Sequence, residues 1–375
     1  MTTLKAAPAA DLAEMITANN RESVRRWKAF PFAAPYIATV GEAARTGALP
    51  PIPDGLAALM DRNPRAGQDL VFTAQQHAAC RLWKRYRITY AIDRTLWHEL
   101  GESDPGDIIP ANLFDQLPHS DPFICFPEPL LIDDGGDLVE KVVGVFLSGR
   151  RSETVPDAAV AAYGDLGLVP PKGTTITIQC STHHPERDVI ALTFVGVMHR
   201  RDGRPHTPGG IPDLVWTHVS FGLDADATVA ELVDGCLSRF PSANGGRGVG
   251  VMLRRAVSLL IYLCAVNAEI DAAPPAPAPR GRGKGRGAAR PKPPRVMNVG
   301  YRIGAKLRAY RAASARRASA GGPDDRSVPP HLRRAHFHTF RHGKGRKLRK
   351  VTWLPPIPVN FDKEADKTTV IPVPA

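Results

Sequence analysis

Between Ala10 and Phe30 apolar residues recur at helical spacing (Leu12, Met15, Ile16, Val24, Trp27), and a second helical segment follows near Val40–Arg45. Asp69–Leu100 repeats the pattern over a longer span, through Leu70, Ala74, His77, Leu82, Tyr86, Tyr90 and Leu96. The first hundred residues therefore read as all-helical. The period then falls to two. Phe123–Phe126, Val139–Ser148, Thr174–Cys180, Val189–His199 and Leu214–Phe221 are β-rich runs separated by Gly, Pro and Asp turns. Helical spacing returns over Thr228–Phe240, with Asp224 or Asp226 as its cap, and over Met252–Ile270, whose centre is strongly apolar. Because the strands follow one another rather than alternating with helices, the pattern predicts an α+β fold with a central antiparallel sheet and packing helices.

Ala272–Arg295 breaks both periods. It is Pro-stiffened at its ends and Gly-rich at its centre, too poor in apolar surface to order itself, and is expected to be a disordered basic linker. Beyond it the pattern predicts a strand at Val296–Val299 and a helix at Ile303–Ala318 carrying Lys306, Arg308 and Arg311. A β-hairpin is expected next, pairing Arg333–Arg341 with Lys347–Leu354 around His342-Gly343-Lys344-Gly345. The expected organisation is thus a helical N-terminal region (1–110), an α+β body (111–271), the linker (272–295), a basic helix-plus-hairpin region (296–361) and a loose tail (362–375).

The chain's 375 residues, 43% of them hydrophobic, suffice for two or three domains with real cores. The most apolar run, Ala256–Val266, falls short of the roughly 20 residues that span a bilayer. The N-terminus lacks a basic stretch followed by an apolar core, so no secretory signal is expected. Five scattered cysteines, never spaced CxxC, argue against a disulfide framework and against a Cys-based zinc site, and for a reducing compartment. The expected location is cytoplasmic, with no membrane partner. Charge changes the picture more. Residues 1–271 carry 25 Lys/Arg against 32 Asp/Glu, whereas residues 272–361 carry 22 against two, Asp324 and Asp325. Such a split is the electrostatic footprint of a nucleic-acid partner for the C-terminal part.

Several motifs suggest chemistry and lose it on inspection. Gly281–Gly287 (GRGKGRG) has prolines where a phosphate loop needs a strand and a helix; its alternatives are an RNA-contacting Arg/Gly segment and a plain linker. Gly245–Gly250 reads as a helix–helix turn. Cys180, His183 and His184 sit at an expected hairpin tip, and Asp133, Asp134 and Asp137 in ordinary turn chemistry, so neither set argues for a metal. The remaining candidate is RRAHFHTFRHGKGRKLRKVTW, Arg333–Trp353: eight Lys/Arg, three histidines and no acid. In an extended chain Arg334, His336, His338 and Phe340 share one face, and Arg333, Ala335, Phe337, Thr339 and Arg341 the other. With no carboxylate or thiolate to complete a shell, and cations all around, a metal site is not expected, nor is any cofactor. Three readings stay open. His336 and His338 could act as base and acid in metal-independent RNA cleavage, with Arg334 stabilising the phosphorane. Alternatively the segment binds RNA, with Arg333, Arg334, His336, Phe337, His338, Arg341, Lys347, Arg349, Lys350 and Trp353 supplying phosphate contacts and stacking. Or it is a packing hairpin with no ligand.

Leu332–Asn360 (LRRAHFHTFRHGKGRKLRKVTWLPPIPVN) resembles the C-terminal signature of a type V-A anti-CRISPR inhibitor family with homologues on mobile elements. Arg333, Arg334, Ala335, His336, Phe337, His338, Gly343, Trp353, Pro355, Val359 and Asn360 match its order, and Val299–Tyr310 (VGYRIGAKLRAY) is similar to its helix with spaced glycines. It departs from the family in that Phe337 stands where the family's inhibitor has Trp, and Arg341 where it has another aromatic. The resemblance implies a protein that lowers production of the type V-A effector nuclease. It would engage the effector's nascent N-terminal peptide through the body, and RNA or the ribosome through residues 272–361. The messenger would then be destroyed, by this chain or by a recruited host nuclease. The expectation drawn from it is a non-enzymatic regulator; a metal-independent ribonuclease and a non-catalytic RNA-binding regulator are the alternatives.

Overall fold

The computed structural model describes residues 9–46, 53–103, 109–133, 136–154, 177–180, 186–207, 214–223, 227–238, 245–273, 294–319, 331–346 and 348–359. Four helices open the chain: α1 (Ala9–Arg26), α2 (Ala33–Thr46), α3 (Asp54–Arg62) and α4 (Pro64–Tyr86). The start of α4 follows from local chemistry, since Asn63 Oδ1 accepts from Ala66 N at 3.1 Å and Pro64 occupies the first turn. Its end does too: Arg87 adopts φ 53°, ψ 40°, and this left-handed residue turns the chain out of the helix. The expected single helix over Asp69–Leu100 is therefore three elements. Strand β1 (Ile88–Ile92) follows the turn, and α5 (Arg94–Glu102) begins on Asp93, whose carboxylate accepts from Thr95 N and Leu96 N. The β-branched ITYAI run and the Asp cap carried this signal, but the apolar spacing ran through both.

The described strands of the main sheet lie in the order β4-β6-β5-β3-β2-β1-β8-β7, where β2 is Phe123–Ile132, β3 Leu138–Thr154, β4 Thr177–Cys180, β5 Glu186–Arg200, β6 Leu214–Gly222, β7 Ile270–Ala272 and β8 Arg295–Val299. The predicted α+β class holds. The sheet, expected to be antiparallel, is mixed. β2-β3-β5-β6 form an antiparallel meander, but β1 runs parallel to both β2 and β8, and β4 runs parallel to β6. The parallel β2-β1-β8 run arises because the chain crosses over through α5 between β1 and β2, and β8 arrives from a distant part of the chain; strand periodicity reports neither.

Helices cover both faces. On one, Leu12, Ile16, Cys80 and Trp83 of α1 and α4 pack on Phe123, Phe146, Val195 and Trp216. On the other, α5, α6 (Val229–Leu237), α7 (Gly245–Cys264) and α8 (Tyr301–Ser319) meet the sheet in the main core, which includes Trp97, Leu260, Tyr262 and Val299. The α6 cap is Thr228, in a reciprocal capping box with Glu231, rather than Asp224 or Asp226, which lie outside the described residues. The helical N-terminal segment also has a small core of its own, around Tyr36, Leu56, Leu70 and Ala74.

Candidate nucleic-acid interface

Helix α8 was expected to offer cations to a ligand. Three of its arginines are instead paired with carboxylates of the body, although all three stay exposed. After β8, Gly300 (φ +73°) bends the chain, and an added Cβ there would lie 2.1 Å from Leu96 Cδ2. The Glu269 carboxylate then accepts from Arg302 N (2.7 Å) and Ile303 N (3.0 Å), satisfying the helix start, and it pairs with Arg302 Nε at 3.2 Å. One turn on, a Cβ at Gly304 would fall 1.9 Å from Asp93 Oδ1, so only glycine lets α8 settle against that carboxylate. Arg308 Nη1 donates to both Asp93 oxygens (3.0 and 2.7 Å) and to Thr95 Oγ1 (2.9 Å), and Arg311 pairs with Glu99. Asp93, Glu99 and Glu269 are buried. A buried carboxylate is stable only when paired, so these arginines serve the fold. Sequence reading missed this division because the three acids lie far from α8 in the chain.

The C-terminal segment forms two ribbons. β10 (His336–His342) pairs antiparallel with β11 (Leu348–Leu354), and β9 (His331–Arg333) pairs with β12 (Ile357–Val359). The hairpin expected from Arg333 thus begins at His336, and Arg333 belongs to the second ribbon. Facing pairs alternate as the two-residue period requires. Phe337↔Trp353 and Thr339↔Val351 lie on the inner face, where Ala335, Val351 and Trp353 are buried and Phe337 packs against the main core. Trp353, expected to stack on bases, is fully buried. Its ring meets Tyr262 edge-on at 5.5 Å, its Nε1 donates to Ser103 Oγ (3.4 Å), and Asn267 bonds its backbone N (3.1 Å) and O (2.8 Å). The expectation fails because the residue's parity, shared with Val351 and Phe337, points it at α7.

The outer face carries His336↔Leu354, His338↔Thr352 and Phe340↔Lys350. His338 and Phe340 are exposed and meet edge-on at 4.2 Å. His336 is half-buried, with Nδ1 3.4 Å from the Arg334 carbonyl, while the Arg334 guanidinium pairs with Glu102 at 2.9 Å on the surface. At the tip, Gly343, Gly345 and Arg346 all have positive φ and close the turn. Arg341 lies directly across from Arg349. Arg341, Lys344, Arg346, Arg349 and Lys350 are all exposed, and among the described residues none has an ion-pair partner. Like charges directly opposite in a ladder are destabilising, so an external anion would relieve the strain at this tip. Lys347 lies outside the described residues.

A β8–glycine–α8 unit docked on α5 and a C-terminal basic hairpin rooted by a buried Trp occupy the span that matches the sequence profile of the Anti-CRISPR type V subtype A2 family, residues 90–361. The chain belongs to that family. In fold it is similar to the crystal structure of AcrVA2, with a TM-score of 0.51 at 18% identity, covering 92% of this chain and 98% of that one. No curated protein sequence matches it.

For this family member the other motifs resolve simply. Asp133 is held by Arg201, Nη2 to Oδ1 at 2.7 Å, while Arg201 Nε donates to Gly136 O at 2.6 Å. Asp134, His183, His184 and Gly281–Gly287 lie outside the described residues. Gly245–Gly250 forms the first turns of α7 rather than an interhelical turn, and Gly248 lets that helix approach Ile132, which a Cβ would meet at 2.7 Å. Among the described residues no three His, Cys, Asp or Glu side chains gather as a metal would require, and no helix is long and apolar enough to cross a membrane.

Proposed function

We propose that this anti-CRISPR family member lowers production of a type V-A effector nuclease in the cytoplasm by engaging the effector's nascent N-terminal peptide through its body and RNA or ribosome through its basic hairpin. Destruction of the messenger would follow, with a host nuclease recruited for the cut. The observation that carries the RNA contact is the uncompensated tip. Arg302, Arg308, Arg311 and Arg334 are paired within the chain, yet Arg341, Lys344, Arg346, Arg349 and Lys350 stand exposed without partners among the described residues. Phe340 beside Lys350 adds a stacking surface, and Arg333, also exposed, extends the basic strip. Phe337 and Trp353 support the hairpin from beneath.

The outward histidines His336 and His338, with Arg334 nearby in the chain, support a second reading, metal-independent RNA cleavage. One experiment separates the two. Binding and cleavage of single-stranded RNA are measured in metal-free buffer for wild type, Arg341→Ser/Arg349→Ser and His336→Ala/His338→Ala. The proposal expects no cleavage and a salt slope smaller by about 1.4 in the arginine variant, at about 0.7 per lost phosphate contact. Failure of wild type to bind RNA refutes the RNA contact. Cleavage that vanishes in the histidine variant at unchanged melting temperature makes the protein an enzyme.

A further inference from the structure

The N-terminal helices lie outside the span shared with the family profile, and they hold a second group of basic side chains. His77, Arg81 and Lys84 follow one another at four- and three-residue spacing on α4, which places them along one helix face. Arg21 approaches from α1, and Gly41 of α2 lies over them; a Cβ there would be 3.3 Å from Arg81 Nη1 and 3.8 Å from His77 Cδ2. At the base lies Asn20, 2% exposed. Its Oδ1 is 3.3 Å from His77 Nδ1, and its buried Nδ2 has no acceptor. Among the described residues Arg21, Arg81 and Lys84 have no carboxylate partner, although Arg87 just beyond pairs with Glu14, and Arg25 with Glu22.

We infer that this seam between α1 and α4 is a binding site for a phosphate group, held by Arg21, Arg81, Lys84 and His77 with the Asn20 amide beneath. Burial and then Arg21 lower the Lys84 pKa; burial and then Lys84 and Arg81 lower that of His77. Lys84 and His77 are half-buried, while Arg21 and Arg81 are exposed; like charges gathered around Lys84 are costly without a counter-ion, and a bound dianion removes that cost. A phosphate suits the site better than a carboxylate. Its charge offsets two of the cations, and its tetrahedral oxygens can serve donors converging from two helices and a side-chain amide. The inference is independent of the hairpin and of the proposed function.

The test is phosphorus NMR of inorganic phosphate with the full chain, at an ionic strength fixed with chloride. Saturable broadening is expected to persist in Arg341→Ser/Arg349→Ser, which removes the anion-attracting hairpin tip, and adding Arg81→Gln/Lys84→Gln to that background should weaken the affinity at least tenfold. Without phosphate, the Arg81→Gln/Lys84→Gln protein should melt no lower than wild type, because like charges have been removed. A single-stranded RNA lacking terminal phosphates forms a second arm: displacement of phosphate names a nucleic-acid backbone as its source, and no displacement a small phosphomonoester. Absence of saturable binding, equal binding by the α4 variant, or a lower melting temperature for that variant overturns the site.

Discussion

Replacing Trp353 by Ala tests the claim that the hairpin is anchored rather than laid on the surface. The side chain is fully buried, meets Tyr262 at 5.5 Å and donates to Ser103, and its own backbone is gripped by Asn267. Truncating a fully buried Trp removes its transfer energy and leaves a cavity, at a cost of about 3–5 kcal/mol. Ser103, itself buried, also loses a partner. With a urea m-value of about 3 kcal/mol/M, the unfolding midpoint should fall by on the order of 1 M. Phe340→Ala is the contrast. The ring is 40% exposed on the outer face, so its loss should leave the midpoint nearly unchanged. It should weaken single-stranded RNA binding by about 1–3 kcal/mol, the worth of one stacked base. Urea unfolding followed by far-ultraviolet circular dichroism, and RNA anisotropy on the same samples, give both numbers. A Trp353→Ala protein with a wild-type midpoint and weakened RNA binding would refute the assignment of inner and outer faces.

Gly304→Ala should invert the usual helix rule. A buried or exposed helical Gly→Ala ordinarily gains about 1 kcal/mol, but here the methyl group collides with Asp93, so the melting temperature should drop and the Asp93–Arg308 pair should loosen. Asp93→Ala should be worse, because it strips the α5 cap and leaves the half-exposed Arg308 with Thr95 alone, for a combined cost of about 1–2 kcal/mol in chemical denaturation. Burial raises the Glu140 pKa to about 7. The residue as a whole is only half-buried, but its Oε1 is enclosed, lacks a partner among the described residues, and would touch a Cβ on Gly196 at 2.2 Å; the charge follows the enclosed atom. The folded state therefore holds a proton that the unfolded state releases near pH 4.5, so this group's contribution to stability falls as pH rises from about 4.5 to about 7. Glu140→Gln should flatten that part of the stability–pH curve by on the order of 2 kcal/mol, and an unchanged slope would refute it. Burial lowers the His218 pKa to about 4. Protonation there should destabilise the fold as pH drops below about 6.5, and His218→Gln should blunt the acid transition.

Much of this protein was legible in its sequence. Two-residue periods marked β2, β3, β5 and β6, an apolar centre marked α7, and the alternation in Ala335–Phe340 assigned the hairpin faces correctly. The same alternation carries Trp353 to the inner face with Phe337, although the residue's chemistry suggested stacking on a ligand. Charge counting found the basic C-terminal part because composition is additive along the chain. Pairing is not additive. Asp93, Glu99 and Glu269 precede their arginines by between 33 and 215 residues, and only the parallel insertion of β8 beside β1 brings α8 onto them. Strand β1 itself was hidden because its apolar residues continue the helical spacing of α4; the left-handed turn at Arg87 and the cap at Asp93 decided otherwise. Local sequence thus determined the elements and the sign of the charge. Tertiary structure alone decided which cations are paired within the chain and which are not, because that depends on which carboxylates the folded chain brings within reach.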